Sequence, residues 1–130
     1  ASAAAGGRAA MNAFERGLAP IARALEAAAL RFRTIQSNLA HVSTPGYRRL
    51  EVKFESLLSS RTGSATPSAD DILAVEPHVV RDESPGRADG NNVSLEHEMA
   101  EQERARLQYE ALLEVATLRI QGIRNAITSH

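Results

Sequence analysis

Histidines and carboxylates are the side chains in this sequence whose types could support catalysis or metal binding. No two histidines have the spacing of metal ligands, and the pair His97–Glu98 lacks the second histidine that a helical zinc motif requires. We therefore predict no metal site and no cofactor. The four histidines are His41, His78, His97 and His130.

Two groups of acidic residues resemble catalytic carboxylates. Asp70 and Asp71 lie in a stretch rich in Ser, Thr and Ala, whereas glutamates crowd residues 96–103, at the start of a predicted helix. Carboxylates there complement the positive end of the helix dipole, so we interpret them as charge on a solvated face. The sequence also lacks a Gly-rich phosphate loop, a nucleophile elbow and a Cys–His pairing. We predict that the chain is not an enzyme, and we reject the hypothesis that it is a small hydrolase.

The composition excludes several classes of protein. Among 130 residues, 15 basic and 16 acidic side chains give a net charge of -1, so no global field attracts nucleic acid or an anionic membrane. No apolar run reaches about 18 residues, which predicts no membrane span. The chain has no cysteine, so disulfides are excluded, and aromatic residues make up only 4% of it. Any hydrophobic core must therefore be thin.

The first ten residues differ from the rest of the chain. Residues 1–10 are low in complexity and show neither apolar periodicity nor the regions of a signal peptide. We interpret them as a flexible leader or a non-native remnant, with Met11 as the natural start.

Residues 11–43 are predicted to form the N-terminal helix. From Leu18 to Val42 the apolar residues recur at alternating steps of three and four, which is the heptad pattern of a helix that packs along another helix. Pro45 and Gly46 then end the pattern. Pro20 either kinks this helix or occupies its first turn, and the sequence leaves both open.

Residues 93–130 are predicted to form the C-terminal helix, with Ser94 as its N-cap. A second heptad begins here, but its positions Gln102 and Arg106 are polar, so we expect continuous apolar contact only from Tyr109 onward. Further apolar residues make the face wider than one partner helix needs. These are Leu112, Val115 and Leu118.

The two heptads predict a mainly α fold in which the terminal helices pair as a coiled-coil-like α-hairpin, antiparallel or side by side. The middle is expected to be extended and loop-rich, with a small β-hairpin. Because many seam residues are alanine, one helix pair buries little, and we expect the excess apolar surface to pack against copies or homologous chains. The predicted seam consists of Leu25, Phe32, Ile35, Leu39, Tyr109, Leu113, Ile120, Ile123 and Ile127.

Residues 44–92 are predicted to form an extended arm followed by a loop-rich insert. Leu50, Val52 and Phe54 alternate with charged residues, so they share one face, and we expect them to anchor the arm on a neighbouring chain. Residues 55–71 should be a mobile loop because Ser, Thr, Ala and Gly dominate them. One or two short strands are expected within residues 72–80, and Asp89–Gly90 is the clearest hairpin signal.

Two segments resemble signatures of the bacterial flagellar axial family, which comprises rod and hook subunits. Residues 37–47 (SNLAHVSTPGY) resemble the pattern N-[LI]-A-N-x-x-T-P-G-Y, with His41 where the signature has Asn. Residues 89–100 (DGNNVSLEHEMA) are similar to D-G-N-x-V-D-L-x-x-E-M, with Ser94 where Asp is usual. The resemblance spans nearly all of residues 11–127. The length and the DGNNV segment favour the proximal-rod subunit of the family.

This resemblance implies a structural role in the proximal rod of the flagellar basal body, in the periplasmic space. It implies export through the flagellar type III apparatus, and then polymerisation by helix packing into a torque-transmitting tube around the export channel. The implied partners are copies of itself, other rod proteins, the ring-to-rod adaptor and the export gate, with the MS ring as a further candidate. Phe14 and Leu18 resemble an export-gate signal, although both also begin the heptad. The family turn motif consists of Asn38, Thr44, Pro45, Gly46 and Tyr47, and would set an elbow that aims the arm.

A soluble coiled-coil adaptor or regulatory protein is the alternative to a rod subunit. An adaptor predicts a discrete dimer or tetramer at all concentrations. A rod subunit predicts a chain that is largely monomeric and poorly folded until it meets its axial partners.

Overall fold

The terminal helices dominate the fold and flank a small central insert. The structure is a computed structural model that describes residues 2–63 and 66–129, with side chains described from Glu15 onward. The predicted fold class is confirmed: α1 and α4 pack on each other, and a two-stranded sheet lies between them in sequence. The elements are α1 (Ser2–Ala40), β1 (Leu50–Lys53), α2 (Glu55–Thr62), α3 (Ala69–Ala74), β2 (His78–Arg81) and α4 (Leu95–Thr128).

Helices α1 and α4 run antiparallel. Near the C-terminal end of α1, Asn38 bonds to Glu98 in the first turns of α4. Phe32 and Tyr109 meet edge to face farther along, with ring centroids 6.2 Å apart. Toward the start of α1, residues 16–24 line one groove together with Leu112. Late residues of α1 therefore contact early residues of α4, and early residues of α1 contact later residues of α4.

The bounds of α1 differ from the prediction at both ends. The helix begins at Ser2, so the backbone of residues 2–10 is helical where the composition predicted a flexible leader. Alanine has the highest helix propensity and dominates this segment, which outweighs its two glycines. Pro20 lies inside the helix. Residues 41–43 form a turn, so α1 ends three residues before the predicted boundary.

The start of α4 follows the predicted capping chemistry. The Ser94 hydroxyl accepts a hydrogen bond from the backbone N–H of His97, and α4 begins at Leu95. The predicted N-cap is therefore confirmed. Among the described residues, no helix combines the length and the apolar content needed to cross a membrane.

The stripe of α4 that faces α1 lies one position earlier than the predicted heptad in the first half of the helix. Glu98 and Ala105 are buried and Leu112 is half-buried, at steps of seven residues. Ala105 and Leu112 therefore face α1 where the heptad predicted Arg106 and Leu113. The seam prediction is therefore wrong for three residues, which are exposed, whereas the other predicted seam residues are buried or half-buried. The exposed ones are Leu113, Ile120 and Ile127.

The insert contains more regular structure than its composition predicted. Residues 55–71 hold α2 and the start of α3 instead of a mobile loop. Ser68 and Asp71 form a reciprocal capping box that starts α3. The strands pair antiparallel from Leu50↔Arg81 to Lys53↔His78, but α2 and α3 connect them. The turn at Asp89–Gly90 thus follows the sheet and does not form a hairpin.

Phe54 belongs to the core of its own chain. It is 5% exposed and packs with Ala27 of α1 and Val75, because the insert folds back and covers it. The prediction that Phe54 anchors the arm on a neighbour is therefore wrong. Leu50 and Val52 are half-buried in β1, which packs against α1. The partly buried residues around Phe54 are Leu57, Leu58 and Ile72.

Candidate functional site

The two signature segments meet at one end of the helix pair, where α1 ends and α4 begins. We call this cluster the elbow, and its central residues are Asn38, Tyr47, Arg49, Asn91 and Glu98. Asn38, Asn91 and Glu98 have no exposed surface. Buried polar groups cost free energy unless they are hydrogen-bonded. Every buried polar side-chain atom of the described residues has such a partner.

Asn38 joins α1 to β1 and to α4. Its carbonyl oxygen accepts a hydrogen bond from the backbone N–H of Leu50 (2.8 Å) and another from the Tyr47 hydroxyl (3.2 Å). Its amide nitrogen donates to the backbone carbonyl of Leu50 (2.8 Å) and to Glu98 (3.1 Å). The side chain therefore pairs with Leu50 as a neighbouring strand would, and its donors and acceptor are all used.

Arg49 links α4 to the small sheet. Its Nε donates to the carboxylate of Glu98 (2.8 Å), and its terminal nitrogen lies 3.2 Å from Asp82. Burial alone would lower the pKa of Arg49, but the hydrogen bonds and charges of Glu98 and Asp82 outweigh burial and raise it. The guanidinium therefore stays charged and neutralises a carboxylate that has no access to water.

Asp82 holds the outer side of Arg49. The hydroxyl and the backbone N–H of Ser84 donate to one oxygen of Asp82, and Arg49 binds the other. These hydrogen bonds, those from Ser84 first, lower the pKa of Asp82 to about 2. Asn92 completes this side, because its side chain accepts from the backbone N–H of Arg49 (2.6 Å) and donates to the carbonyl of Asp82 (2.8 Å).

Asn91 closes the turn that follows α1. Its amide donates to three backbone carbonyls, those of His41 (2.8 Å), Val42 (3.2 Å) and Thr44 (2.8 Å). Its side-chain oxygen accepts from the N–H of Val93 (2.7 Å). One buried side chain thus satisfies three carbonyls of the turn that follows α1.

Two glycine turns face each other beside Asn91. Gly46 and Gly90 adopt positive φ angles of 75° and 84°, which favour glycine. The N–H of Gly46 donates to the carbonyl of Asp89 (2.8 Å), and a Cβ at Gly90 would lie 3.4 Å from the Cα of Gly46. The two turns therefore pack backbone to backbone.

The aromatic ring of Tyr47 covers the elbow on the side of α1. The rings of His41 and Tyr47 stack with centroids 4.6 Å apart and an interplanar angle of 7°. A nitrogen of the His41 ring lies 2.8 Å from the carbonyl of Ser37, so the ring is fixed against the last turn of α1. Histidine therefore fits the position where the family signature has Asn.

The structure brings together most of the predicted turn motif. Asn38 and Tyr47 contribute side chains, Thr44 contributes its carbonyl, Gly46 contributes its N–H, and Pro45 is exposed. Sequence reasoning missed the roles of three residues, and it placed one of them, Glu98, on a solvated face. The sequence did carry a signal for Glu98: it lies seven residues before Ala105, and residues seven apart share one face of a helix. The missed residues are Arg49, Asn91 and Glu98.

The remaining predicted sites lie outside the elbow. Leu18 is half-buried on α1, whereas the side chain of Phe14 lies outside the described residues, so the export signal stays a prediction. Within residues 15–63 and 66–129, no three His, Asp or Glu side chains cluster as a metal site would need.

The elbow is arranged to hold backbones together. Its side chains bind main-chain groups of both signature segments, and its charged residues bind one another. The chain is similar to the flagellar basal body rod protein FlgB of Bacillus subtilis (strain 168). The two sequences are 24% identical over 126 residues, which cover 91% of this chain and 98% of that protein. No family model matches the chain. The similarity to this rod protein thus includes both segments that build the elbow.

Proposed function

We propose that this chain is a structural subunit of the proximal rod of the bacterial flagellar basal body. The observation that carries the proposal is the similarity to a flagellar rod protein over nearly the full length of both chains. The elbow supports it, because the residues that resemble the two family signatures contact each other there.

In this role the elbow fixes the angle between the helix pair and the central insert. Asn38 holds β1 against α1, and Arg49 ties β1 to α4 through Glu98. A subunit that transmits torque must not bend at this junction, and a buried, fully hydrogen-bonded network is a rigid connection. The elbow thus serves the function mechanically and carries out no reaction.

Contacts with other subunits would use the apolar surface that the chain leaves open. Large apolar side chains of α4 are exposed, and exposed apolar surface of this kind marks interaction sites. The candidate partners are copies of this chain, other rod proteins and the ring-to-rod adaptor. The export gate would contact it during passage through the type III apparatus.

Isolation of basal bodies tests the proposal. A tagged full-length chain, expressed in its own host in place of the untagged one, should co-purify with the rod and should be required for swimming. A chain that is absent from washed basal bodies, and whose deletion leaves the rod intact, would contradict the proposal.

Circular dichroism and sedimentation of the purified chain provide a second test. The rod role predicts a monomer, folded by circular dichroism, whose mass rises when rod and adaptor proteins are added. A discrete dimer or tetramer that ignores those proteins would instead favour the coiled-coil adaptor.

A further inference from the structure

Asp89–Gly90 is the one place in the sequence where glycine follows aspartate or asparagine. In such a pair the main-chain nitrogen of glycine can attack the side-chain carboxyl carbon of the preceding residue, because no Cβ shields that nitrogen. The attack forms a five-membered succinimide ring and releases one water molecule. Water then opens the ring, and opening at the original main-chain carbonyl leaves isoaspartate, in which the chain runs through the former side-chain carboxyl carbon.

Both groups that would react are held by hydrogen bonds in the folded elbow. The N–H of Gly90 donates to the carbonyl of Arg87 (2.8 Å), and a carboxylate oxygen of Asp89 accepts from the N–H of Asn91 (3.0 Å). Ring closure removes the hydrogen from the Gly90 nitrogen and reorients the Asp89 carboxyl group, so it breaks this arrangement. The side chain of Asp89 is 39% exposed, so these bonds, and not burial, hold it unreacted.

The loop around this pair has no room to shift. The N–H of Arg87 donates to the carbonyl of Asn91 (2.8 Å), which closes residues 87–91 on themselves. A Cβ at the preceding Gly86 would lie 2.6 Å from the carbonyl oxygen of Asn91. Main chain therefore packs on main chain there, and a longer loop does not fit.

Isoaspartate would lengthen the loop where it meets the turn after α1. It adds one carbon to the main chain between residues 89 and 90, and it removes from the main chain the carbonyl that accepts from the N–H of Gly46 (2.8 Å). Gly90 already approaches Gly46 so closely that a Cβ on it would lie 3.4 Å from the Gly46 Cα. The two glycine turns of the elbow cannot pack in this way around the product.

We propose that Asp89 is a self-modification site, which becomes isoaspartate only while the elbow is open and then prevents the elbow from closing. The reaction needs no partner except water, and it is independent of the rod role. It permanently marks chains that failed to fold or that unfolded, because the closed elbow protects Asp89 and excludes the product.

Peptide mapping of the full-length chain tests the proposal. The chain is kept at neutral pH, either folded in buffer or unfolded in guanidinium chloride, and trypsin then releases residues 88–104 as one peptide. Isoaspartate changes the retention of this peptide but not its mass, whereas deamidation of its asparagines adds mass. The isoaspartyl fraction should grow at least about tenfold faster in guanidinium, because the folded chain reacts only through a minor open state. The peptide of residues 62–81, where no glycine follows Asp70 or Asp71, is the internal control and should stay unmodified.

Three variants separate the fold from the chemistry. Glu98→Ala opens the elbow and leaves the Asp89–Gly90 pair unchanged, so the isoaspartyl fraction in buffer should grow at least about tenfold faster than in the parent. Glu114→Ala, which alters an exposed residue of α4, should match the parent. Asp89→Glu would need a six-membered ring and should give no isomerised peptide in guanidinium.

Each part of the proposal has an outcome that would overturn it. No isoaspartate in guanidinium would overturn the site. Equal rates in buffer and in guanidinium, or equal rates for Glu98→Ala and Glu114→Ala, would overturn protection by the elbow. The isoaspartyl chain, purified and returned to buffer, should lose the slow amide hydrogen exchange of Gly46 and Gly90. If it keeps the exchange rates and the free energy of unfolding of the parent, the product does not hold the elbow open.

Discussion

The elbow and the outer surface of α4 distribute polar and apolar residues in opposite ways. At the elbow, Asn38, Asn91 and Glu98 are fully buried and fully hydrogen-bonded. Along the rest of α4, large apolar residues such as Leu113 and Leu118 are exposed. The elbow is thus complete within one chain, whereas the apolar surface of α4 gains its stabilisation only when another molecule covers it. Substitutions in the elbow should affect folding, and substitutions on the α4 surface should affect assembly.

Glu98→Ala should have the largest effect on folding. Removing one partner of a buried ion pair typically costs about 3 to 5 kcal/mol, because the other charge stays buried, and Arg49 would keep only its outer partners. The free energy of unfolding, measured by denaturant titration of the full-length chain, should fall by about 3 kcal/mol. The exposed control Glu114→Ala should change it by less than about 0.5 kcal/mol. If the two substitutions lower the free energy of unfolding equally, the elbow matters no more for folding than the exposed surface of α4.

Phe54→Ala should lower the free energy of unfolding nearly as much as Glu98→Ala. It removes a ring that is 5% exposed, and such truncations cost about 3 to 5 kcal/mol. The free chain itself should therefore lose stability and helix content, which thermal unfolding followed by circular dichroism measures. A variant with the helix content and melting temperature of the parent, but defective in assembly, would restore the idea that Phe54 contacts a neighbour.

Leu112 and Leu113 are adjacent residues that test the position of the packing stripe. Leu112 is half-buried against α1 and Leu113 is exposed. Leu112→Ala should lower the free energy of unfolding by about 2 kcal/mol. Leu113→Ala should lower it by about 0.5 kcal/mol or less. The reverse order in denaturant titrations would support the heptad predicted from the sequence.

Gly90→Ala and Gly122→Ala should change stability in opposite directions. Alanine at Gly90 must adopt a φ near 84°, which costs about 1 kcal/mol. Alanine at Gly122 improves helix propensity and meets no described atom, so the free chain should gain about 0.5 to 1 kcal/mol. If Gly122→Ala also destabilises the monomer in denaturant titrations, the open space beside Gly122 is contradicted.

Asp82 should make a small, pH-dependent contribution at the elbow. Its folded pKa of about 2 lies below its ordinary value of 3.8, so its ionised form stabilises the fold. That contribution is complete above about pH 4 and is lost as the pH falls through about 2. In thermal melts from about pH 5 to pH 2, Asp82→Asn should lose less stability than the parent over this window. Ser84→Ala should move the loss to higher pH, and identical profiles for all three proteins would contradict the assignment.

The sequence predicted the helix pair and the position of the elbow because local signals specify both. Heptad spacing identifies long helices, and Pro45 with Gly46 marks the turn after α1. It did not predict the rotation of α4, because Leu112 and Leu113 are both leucines and local spacing does not decide which of them faces α1. It also missed Glu98, since only the fold brings Arg49 beside a glutamate 49 residues away. The capping box at Ser68 and Asp71 was a local signal for α3 that the polar composition of the insert obscured.

The hydrogen bond between Asn38 and Glu98 closes a loop of 60 residues, and this separation constrains the order in which the molecule can mature. The sheet, the core around Phe54 and the hydrogen bonds of Asn91 to the turn after α1 use only residues that precede Glu98, so in a chain that folds from its amino end they can form first. The bonds from Glu98 to Asn38 and Arg49 can form only afterwards, so they act as a latch that closes last.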